Sequence, residues 1–265
     1  MSKMIQVSNL VKSFKEIHAV DHISFEVEAG KIFGFLGPNG AGKTTTIKML
    51  TTTLFPTGGS ILLDGHDPVK SPLQARRSFG IVFQDPSLDV DLTAYENMEM
   101  HAVLYGVPSS ERKARIEKFL KFVDLWERRE SFAKTFSGGM KRRLEIARAL
   151  LHTPKILFLD EPTLGLDPQT RNHIWGYIQT LAREQKMTVF FTTHYMDEAD
   201  RVADEIAVID HGKIVARGTP ASIKELTKAT TLEEAFIALT GRAIRDEEAS
   251  PQDRMRTAGK VWGKR

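Results

Sequence analysis

The sequence predicts an α/β fold, with an antiparallel β-subdomain at the N-terminus and an α-helical subdomain inserted in the core. Short apolar runs alternate with segments of helical periodicity, a pattern typical of a sheet covered by helices. One run, KIFGFLG, passes through a Gly-rich turn into a helix. Further along, amphipathic segments without a strand between them interrupt this pattern. We therefore assign the helical subdomain to about residues 85–150.

The N-terminal subdomain is predicted from residues 5–31, which alternate and are rich in β-branched and aromatic side chains, as in HISFEVEAGKI. This pattern predicts antiparallel strands, with a turn at Ala29 and Gly30. Strands are then predicted for KIFGFLG, GSILLDG and FGIVFQD, and a helix for residues 43–54.

The helical subdomain begins with two helices whose boundaries can be predicted. Thr93 and Glu96 form a predicted capping box for the first helix, which ends at Gly106. The second helix covers residues 110–123. Its apolar residues share one face, and they are Ile116, Phe119, Leu120 and Val123.

The core pattern resumes after a helix that ends near His152, with predicted strands KILFLD, MTVFFTTH, EIAVID and GKIVARG. A helix, YMDEADRVA, is predicted between the second and third of these strands. We assign residues 1–220 to the main domain and residues 221–265 to a C-terminal extension with one helix, TLEEAFIALTG. The tail from Arg242 is polar and without periodicity, so we expect it to be disordered.

Composition restricts the class of protein. The chain is 41% hydrophobic and 27% charged, as in ordinary proteins with a well-formed core, and its charge of +3 is too small to indicate a dedicated nucleic-acid binder. The absence of cysteine excludes disulfides and thiolate zinc sites. The N-terminus lacks a signal-peptide pattern, and no apolar run approaches the roughly 20 residues that span a bilayer. We therefore expect a cytosolic protein.

The segment GPNGAGKT, residues 37–44, fits the phosphate-binding pattern G-x-x-x-x-G-K-[ST] between a buried strand and a helix. In such a loop the backbone N–H groups surround an anion, and the lysine, here Lys43, reaches the β- and γ-phosphates. The Thr44 hydroxyl is then available to Mg²⁺. The alternative, a Gly-rich turn without a ligand, does not account for this strand–loop–helix context.

Two acids follow the predicted strand ILFLD. Asp160 at the end of a buried strand is well placed to hold Mg²⁺ through oxygen. Glu161 could polarise a water molecule that attacks the γ-phosphate. The alternative is a simple turn before Pro162, which the presence of the phosphate loop makes the weaker interpretation.

His194 and Gln84 end two further apolar runs, TVFFTTH and FGIVFQD. Strand ends on one side of an α/β sheet converge on the ligand crevice, so both side chains are candidates for the same site. Gln84 could reach Mg²⁺ or the attacking water. A single His is more often structural, and without the other motifs neither residue would be a candidate.

The segment FSGGM introduces another predicted helix. Ser137 can cap the helix, and Gly138 and Gly139 leave backbone N–H groups uncovered, so this helix start is a possible anion site. Bases are disfavoured in a first turn, yet KRR follows directly. The alternative is a Ser-capped helix with a solvated basic face. A second phosphate site requires a second nucleotide, which the association of two chains would supply.

Taken in order, these motifs resemble the ATP-binding subunit of ABC transporters. The matching segments are GPNGAGKTT as Walker A, Gln84 as the Q-loop, FSGGM as the signature, ILFLDEP as Walker B, LGLD as the D-loop and His194 as the H-loop. The resemblance covers about residues 4–220. The phrases DEPTLGLDPQTR and TTHYMDEADRVAD resemble the drug-exporter branch, of daunorubicin-resistance type.

The resemblance implies a P-loop NTPase core and a head-to-tail dimer, with ATP between Walker A of one chain and the signature of the other. It implies catalytic roles for Glu161, His194, Lys43 and Gln84. It implies Mg²⁺ ligation by Thr44, Gln84 and Asp160. The implied ATP contacts are Phe14, which would stack on adenine, and Gly37, Pro38, Asn39, Gly40, Ala41, Gly42, Lys43, Thr44, Thr45, Ser137, Gly138 and Gly139.

The resemblance also implies partners. Asp167 would lie at the dimer seam, and the segment after Gln84 would receive a coupling helix from a membrane subunit. Phe136 and Met140 replace the usual Leu and Gln of the signature, while the anion-binding Ser-Gly-Gly is kept. Phe14 replaces the commoner Tyr, and stacking needs only the ring.

We therefore expect an ATPase, peripheral on the cytoplasmic side of the membrane, that drives export through a separately encoded permease. The second ATP-binding subunit is expected to be identical, and no nucleic acid is expected to bind. One alternative is a soluble ABC ATPase acting on ribosomes or DNA, although this chain has neither a second cassette nor a coiled-coil insertion. Another is an ATP-binding regulator without turnover, which Glu161 and His194 disfavour.

Overall fold

The computed structural model describes residues 2–241, and the predicted disordered tail from Arg242 lies outside the described residues. The strands are β1 (Lys3–Phe14), β2 (Ile17–Glu28), β3 (Ile32–Leu36), β4 (Gly58–Leu63), β5 (Phe79–Val82), β6 (Ile156–Asp160), β7 (Thr188–Thr193), β8 (Glu205–Asp210) and β9 (Lys213–Gly218). The α-helices are α1 (Lys43–Leu50), α2 (Pro72–Ser78), α3 (Ala94–Leu104), α4 (Ser109–Phe122), α5 (Gly138–Ala149), α6 (Pro168–Glu184), α7 (Met196–Val202), α8 (Pro220–Thr227) and α9 (Leu232–Thr240).

The predicted α/β fold is confirmed, and its strands form two sheets. The larger sheet has the order β5-β6-β7-β3-β8-β9, in which the first five strands are parallel and β9 is antiparallel to β8. The N-terminal subdomain is the antiparallel sheet β2-β1-β4. The central strands β3, β6 and β7 are buried along their whole length, which explains why they are continuous apolar runs in the sequence.

The two faces of the larger sheet belong to different hydrophobic clusters. One face packs with α3 to α9, and the other with α1 and the antiparallel sheet. Phe25 of β2 lies between the sheets, with its ring centroid 5.6 Å from those of Phe33 and Phe35 and 5.9 Å from that of Phe190. These rings therefore attach the N-terminal subdomain to the strands that carry the phosphate loop.

Within residues 85–150, the predicted capping box and the predicted apolar helix face are confirmed. The Thr93 hydroxyl accepts from the Glu96 N–H, and the Glu96 carboxylate accepts from the Thr93 N–H, which completes the capping box. The apolar face predicted for α4 is buried at Ile116, Phe119, Leu120 and Val123. The helix α5 begins at Gly138 with Ser137 as its N-cap.

Four helices differ from the expectations. The prediction of one helix in the C-terminal extension is wrong, because α8 begins at Pro220 and precedes α9. Thr219 caps α8, and Ile223 is buried, so α8 packs on the main domain. The helices α2 and α6 were not predicted at all. The helix α1 ends at Leu50 instead of residue 54, because Thr52 adopts a left-handed conformation with φ 62°.

Candidate active site

The parallel strands bring most of the predicted site residues to one edge of the sheet. There they border a pocket of about 440 Å³. Its lining comprises Ala19, Pro38, Asn39, Gly40, Gly42, Lys43, Thr44, Thr45, Gln84, Glu161, Leu164 and His194. Because β3, β5, β6 and β7 run in the same direction, the residues that follow them meet here.

The loop between β3 and α1 has the backbone that a phosphate loop requires. Gly42 has φ 110°, a conformation that favours glycine. A Cβ atom at Gly37 would lie 2.5 Å from the carbonyl oxygen of Ile209, so only glycine fits against β8. Gly37 and Ala41 are buried beneath the loop and do not line the pocket.

Lys43 is held inside this loop. Its ammonium group donates to the carbonyl oxygens of Gly37 (2.7 Å) and Pro38 (3.2 Å), and the residue is 7% exposed. Burial lowers the pKa of Lys43, while the carboxylates of Glu161 and Asp160 act in the opposite direction. The side chain is therefore a desolvated cation at the floor of the pocket, where an anion is strongly attracted.

Asp160 and Glu161 share one partner, Thr192 of β7. The Thr192 hydroxyl donates to Oδ1 of Asp160 (2.6 Å) and accepts from the Glu161 N–H (3.1 Å). Asp160 is buried, and burial raises its pKa, against which the bond from Thr192 acts. Glu161 has φ 50°, a left-handed conformation that is costly for a residue with a side chain. Thr192 therefore orders both acids.

The Glu161 carboxylate lies between a cation and an imidazole. Its Oε2 atom is 2.9 Å from Nδ1 of His194, and its Oε1 atom is 3.9 Å from the Lys43 ammonium. Glu161 is 6% exposed, whereas the His194 side chain is 40% exposed at the pocket mouth. This arrangement can hold a carboxylate in one orientation and offer it to a water molecule in the pocket.

Asp160 and Phe14 do not line the pocket. Asp160 lies behind Glu161 and faces Thr192. Phe14 ends β1, is 47% exposed, and has the Lys12 ammonium 5.1 Å from its ring centroid.

The signature segment also lies apart from the pocket lining. Ser137 caps α5 by accepting from the Met140 N–H (3.2 Å). A Cβ atom at Gly139 would lie 2.5 Å from Cγ2 of Thr170, whereas one at Gly138 would meet only Leu166 at 3.6 Å. A side chain at Gly139 would therefore force Thr170 of α6 to shift, independently of any anion.

Two of the three basic residues that follow the signature segment, Arg142 and Arg143, have structural partners. Arg142 is 7% exposed and donates to the Phe83 carbonyl, and Arg143 donates to the Val123 carbonyl (2.9 Å). A solvated basic face, the alternative derived from the sequence, is therefore wrong for Arg142. Because α5 begins at Gly138, both arginines lie beyond its first turn, and carbonyl oxygens receive their hydrogen bonds.

Several residues behind the pocket were missed in the sequence. Thr192 is one of them, and the two threonines in the apolar run VFFTTH were the available signal. Buried Glu198 of α7 accepts from the Thr163 hydroxyl (2.7 Å), two residues after Glu161. Arg171 donates to the Leu166 carbonyl (2.9 Å) and lies 4.0 Å from Glu198. Together they fix the chain that follows Glu161.

Within residues 2–241, no helix is both long and apolar enough to cross a membrane. The same residues contain no group of three or more His, Cys, Asp or Glu side chains that could hold a metal ion.

Comparison with known proteins gives consistent relationships. Residues 20–164 match the family described as ABC transporter. The daunorubicin/doxorubicin resistance ATP-binding protein DrrA of Streptomyces peucetius is 44% identical over 84% of this chain and 67% of its own length. The linearmycin resistance ATP-binding protein LnrL of Bacillus subtilis is 42% identical over 83% of this chain and 70% of its own. A Nod factor export ATP-binding protein I of Paraburkholderia xenovorans is 38% identical over 97% of this chain and 84% of its own length.

Solved structures agree with these relationships. A structure of an ATP-binding subunit of an ABC transporter superposes with a TM-score of 0.80 and 29% identity, over 89% of this chain and 99% of that one. A dimer of the ATP-binding cassette MJ0796, bound to ADP and Pi in a post-hydrolysis state, superposes with a TM-score of 0.74 and 27% identity. The match covers 82% of this chain and 98% of that one.

Proposed function

We propose that this chain, which belongs to the ABC transporter family, powers export through a separately encoded transmembrane permease. It is an ATP-hydrolysing subunit related to drug-resistance and export ATP-binding proteins. The cargo is a drug or another exported compound, and the subunit works as a homodimer, peripheral on the cytoplasmic side of the membrane. The names of the relatives support export over a role on ribosomes or DNA.

We assign the ATP phosphates to the pocket. Lys43 and the backbone N–H groups of residues 39–45 would bind the β- and γ-phosphates, and Phe14 would stack on adenine from the end of β1. Ser137 and Gly139 of the second chain would bind the γ-phosphate from the other side. The observation that supports a contribution in trans is that the lining of the pocket includes no residue of the signature segment.

Mg²⁺ fits the oxygen ligands that converge at this edge of the sheet. Magnesium binds one or two carboxylates together with substrate phosphates and rarely a complete protein cage. The hydroxyl of Thr44, the amide oxygen of Gln84 and the carboxylate of Asp160 match this chemistry, and the structure orders Asp160 through Thr192. When bound, Mg²⁺ would neutralise charge on the β- and γ-phosphate oxygens.

Glu161 is the proposed catalytic base, and its contacts are the observation that carries the assignment. The carboxylate touches His194 at 2.9 Å and lies 3.9 Å from Lys43 in the wall of the pocket. It would accept a proton from water as the water oxygen bonds to the γ-phosphorus and the bond to the bridging oxygen breaks, releasing ADP and phosphate. His194 would hold the carboxylate, and Gln84 would orient the water.

We assign the remaining partner contacts to two segments. Asp167 caps α6 next to Leu166, which approaches the signature glycine Gly138, so it would lie at the seam between two chains. The exposed segment after Gln84 would receive a helix of the permease. Residues 1–220 would form the ATP-binding domain, with the helical subdomain at about residues 85–150.

Replacement of Glu161 by Gln tests this function. Glu161→Gln removes the base and keeps the shape of the side chain, so hydrolysis is expected to stop while ATP still binds. The dimer should then persist in the presence of ATP, and size-exclusion chromatography would detect that dimer. Glu205→Gln, which changes a surface carboxylate paired with Arg217, is the matched control and should keep normal turnover. Near-normal hydrolysis by Glu161→Gln would contradict the assignment of the base.

A further inference from the structure

One face of α5 holds the segment that carries Gln84. This segment, residues 83–87, follows β5 and crosses to the helical subdomain. Glu145 accepts hydrogen bonds from the Ser87 N–H (2.7 Å) and the Ser87 hydroxyl (3.2 Å) through the same oxygen. Arg148 donates to the Ser87 carbonyl (2.7 Å) and to the Ser87 hydroxyl. The end of the segment is therefore fixed to α5 by an acid and a base.

Arg142 holds the beginning of the same segment. Its guanidinium group donates to the carbonyl oxygens of Phe83 (2.6 Å) and Gln84 (3.2 Å), and it pairs with the second oxygen of Glu145 (3.1 Å). Arg142 is 7% exposed and Glu145 is 2% exposed. A buried pair of this kind is costly to break, because the remaining charge is left without compensation.

Arg142 pairs with Glu145, and Glu145 and Arg148 both bond to Ser87. Arg142, Glu145 and Arg148 are spaced at three-residue intervals, so they share one face of the helix over about 9 Å. We call these residues, with segment 83–87, the Q-loop brace. Through it, the backbone of Gln84 is bonded to the helix that begins at Ser137 and Gly138.

We propose that Arg142 and Glu145 are positioning residues that make the signature helix and the Gln84 segment move as one body. Closure of Ser137 and Gly139 over the nucleotide of the second chain would then set the position of Gln84 in its own pocket. The inference rests on the proposed function, since it assumes the roles given there to Gln84 and Ser137. It adds a physical link between the two composite ATP sites of the dimer.

The chain offers a matched pair of arginines for the test. Arg142→Gln removes the donor to Phe83 and Gln84, whereas Arg143→Gln removes an adjacent arginine whose carbonyl partner is Val123. In the full chain, Arg142→Gln should lower kcat by about tenfold, the equivalent of one charge-assisted hydrogen bond, with ATP binding unchanged. Hydrogen exchange should become faster at residues 83–87. Arg143→Gln should change neither kcat nor the exchange rate at residues 83–87. Equal kcat values, or unchanged exchange at residues 83–87, would overturn the inference.

A double-mutant cycle with Gln84→Ala separates positioning from general destabilisation. If Arg142 acts through Gln84, the double variant Gln84→Ala/Arg142→Gln should be no slower than Gln84→Ala alone. Additive losses would reject the link and leave the role of Gln84 intact. Normal turnover by Gln84→Ala would reject the proposed role of Gln84 and the link with it. If Arg142→Gln fails to fold, Glu145→Gln enters the same cycle, because it breaks the brace from the other side.

Discussion

At the scale of single residues, the Thr192 hydroxyl contacts both acids at the end of β6. It is fully buried, and it is bonded both to the Asp160 carboxylate and to the Glu161 N–H. The Glu161 N–H also contacts the Thr192 carbonyl at 3.2 Å. A left-handed residue is stable only where its surroundings fix it, and Thr192 supplies two of the atoms that do so.

Thr192→Val should therefore impair catalysis more than folding. The change keeps the shape of the side chain, removes the donor to Asp160 and is expected to cost about 1–3 kcal/mol of unfolding free energy. The larger effect should be a lower kcat, because both acids lose their fixed position. Urea unfolding and steady-state ATPase assays measure the two effects.

Thr188→Val is the control for this prediction. Thr188 lies at the other end of β7, is also fully buried, and accepts a hydrogen bond from the Gly30 N–H (3.0 Å). Its replacement should cost similar stability and leave kcat unchanged. If both variants lose kcat equally, Thr192 has no special role in ordering the acids.

The sequence predicted the residues that belong to an ordered motif and missed those that support them. Lys43, Glu161 and His194 follow apolar runs at recognisable positions, and the structure brings them together around one pocket. Thr192 and Glu198 act from within a strand and a helix, where a polar residue has no distinctive spacing. Their importance depends on which elements become neighbours, and a single sequence does not contain that information.

At the scale of elements, a stack of three rings joins α3 to the end of α5. The Tyr105 ring lies 4.5 Å from that of His101 and 4.1 Å from that of His152, measured between centroids. Burial lowers the pKa of His101 to about 3, and the charges of Arg148 and His152 act in the same direction. The native contact therefore requires neutral His101.

This stack predicts a dependence of stability on pH. His101 in the unfolded chain binds a proton below pH 6.5, whereas in the folded chain it stays neutral down to about pH 3. The unfolding free energy should therefore fall as the pH decreases from 6.5 towards 3. His101→Gln should lose about 1 kcal/mol less than the wild type between pH 7.5 and 5.5, as measured by urea unfolding at both values. His66→Gln, which changes an exposed histidine, should follow the wild type. Parallel curves for His101→Gln and the wild type would show that His101 does not cause the fall.

The helices missed in the sequence differ in how much signal they carried. The helix α6 begins with Asp167 as its cap and Pro168 in its first turn, and it buries Ile174, Ile178 and Leu181 at helical spacing. It was therefore predictable from its start signal and its periodicity. The helix α2 has seven residues and buries two of them, so it had no periodicity to find. Its existence depends on packing against β5.

At the scale of the whole molecule, the position of the pocket was predictable and the order of the strands was not. Parallel strands end on one edge of a sheet in any order, so the convergence of Gln84, Glu161 and His194 required only that their strands be parallel. The order β5-β6-β7-β3-β8-β9 depends on which buried strands pair, and apolar runs such as ILFLD and TVFFTT do not distinguish their neighbours.

The proposed dimer makes a prediction that one chain alone cannot satisfy. Ser137→Arg places a bulky side chain at the start of α5, outside the lining of the pocket. It should spare ATP binding by the monomer and stop hydrolysis, because the affected phosphate contact belongs to the neighbouring chain. Thr219→Arg removes the same kind of helix cap at α8, at a cost of about 1 kcal/mol, and should keep normal activity.

Mixing two inactive variants tests the contribution in trans directly. Lys43→Ala removes the phosphate-binding lysine, and Ser137→Arg blocks the signature of another chain. In a mixed dimer, one composite site carries both changes and the other carries neither. The mixture should recover part of the wild-type ATPase rate. About half of randomly associated dimers are mixed and each keeps one intact site of two, so a quarter is the upper bound, and the Q-loop brace would lower it by linking the two sites. No recovery by a mixture whose dimers form normally would mean that Ser137 acts within its own chain.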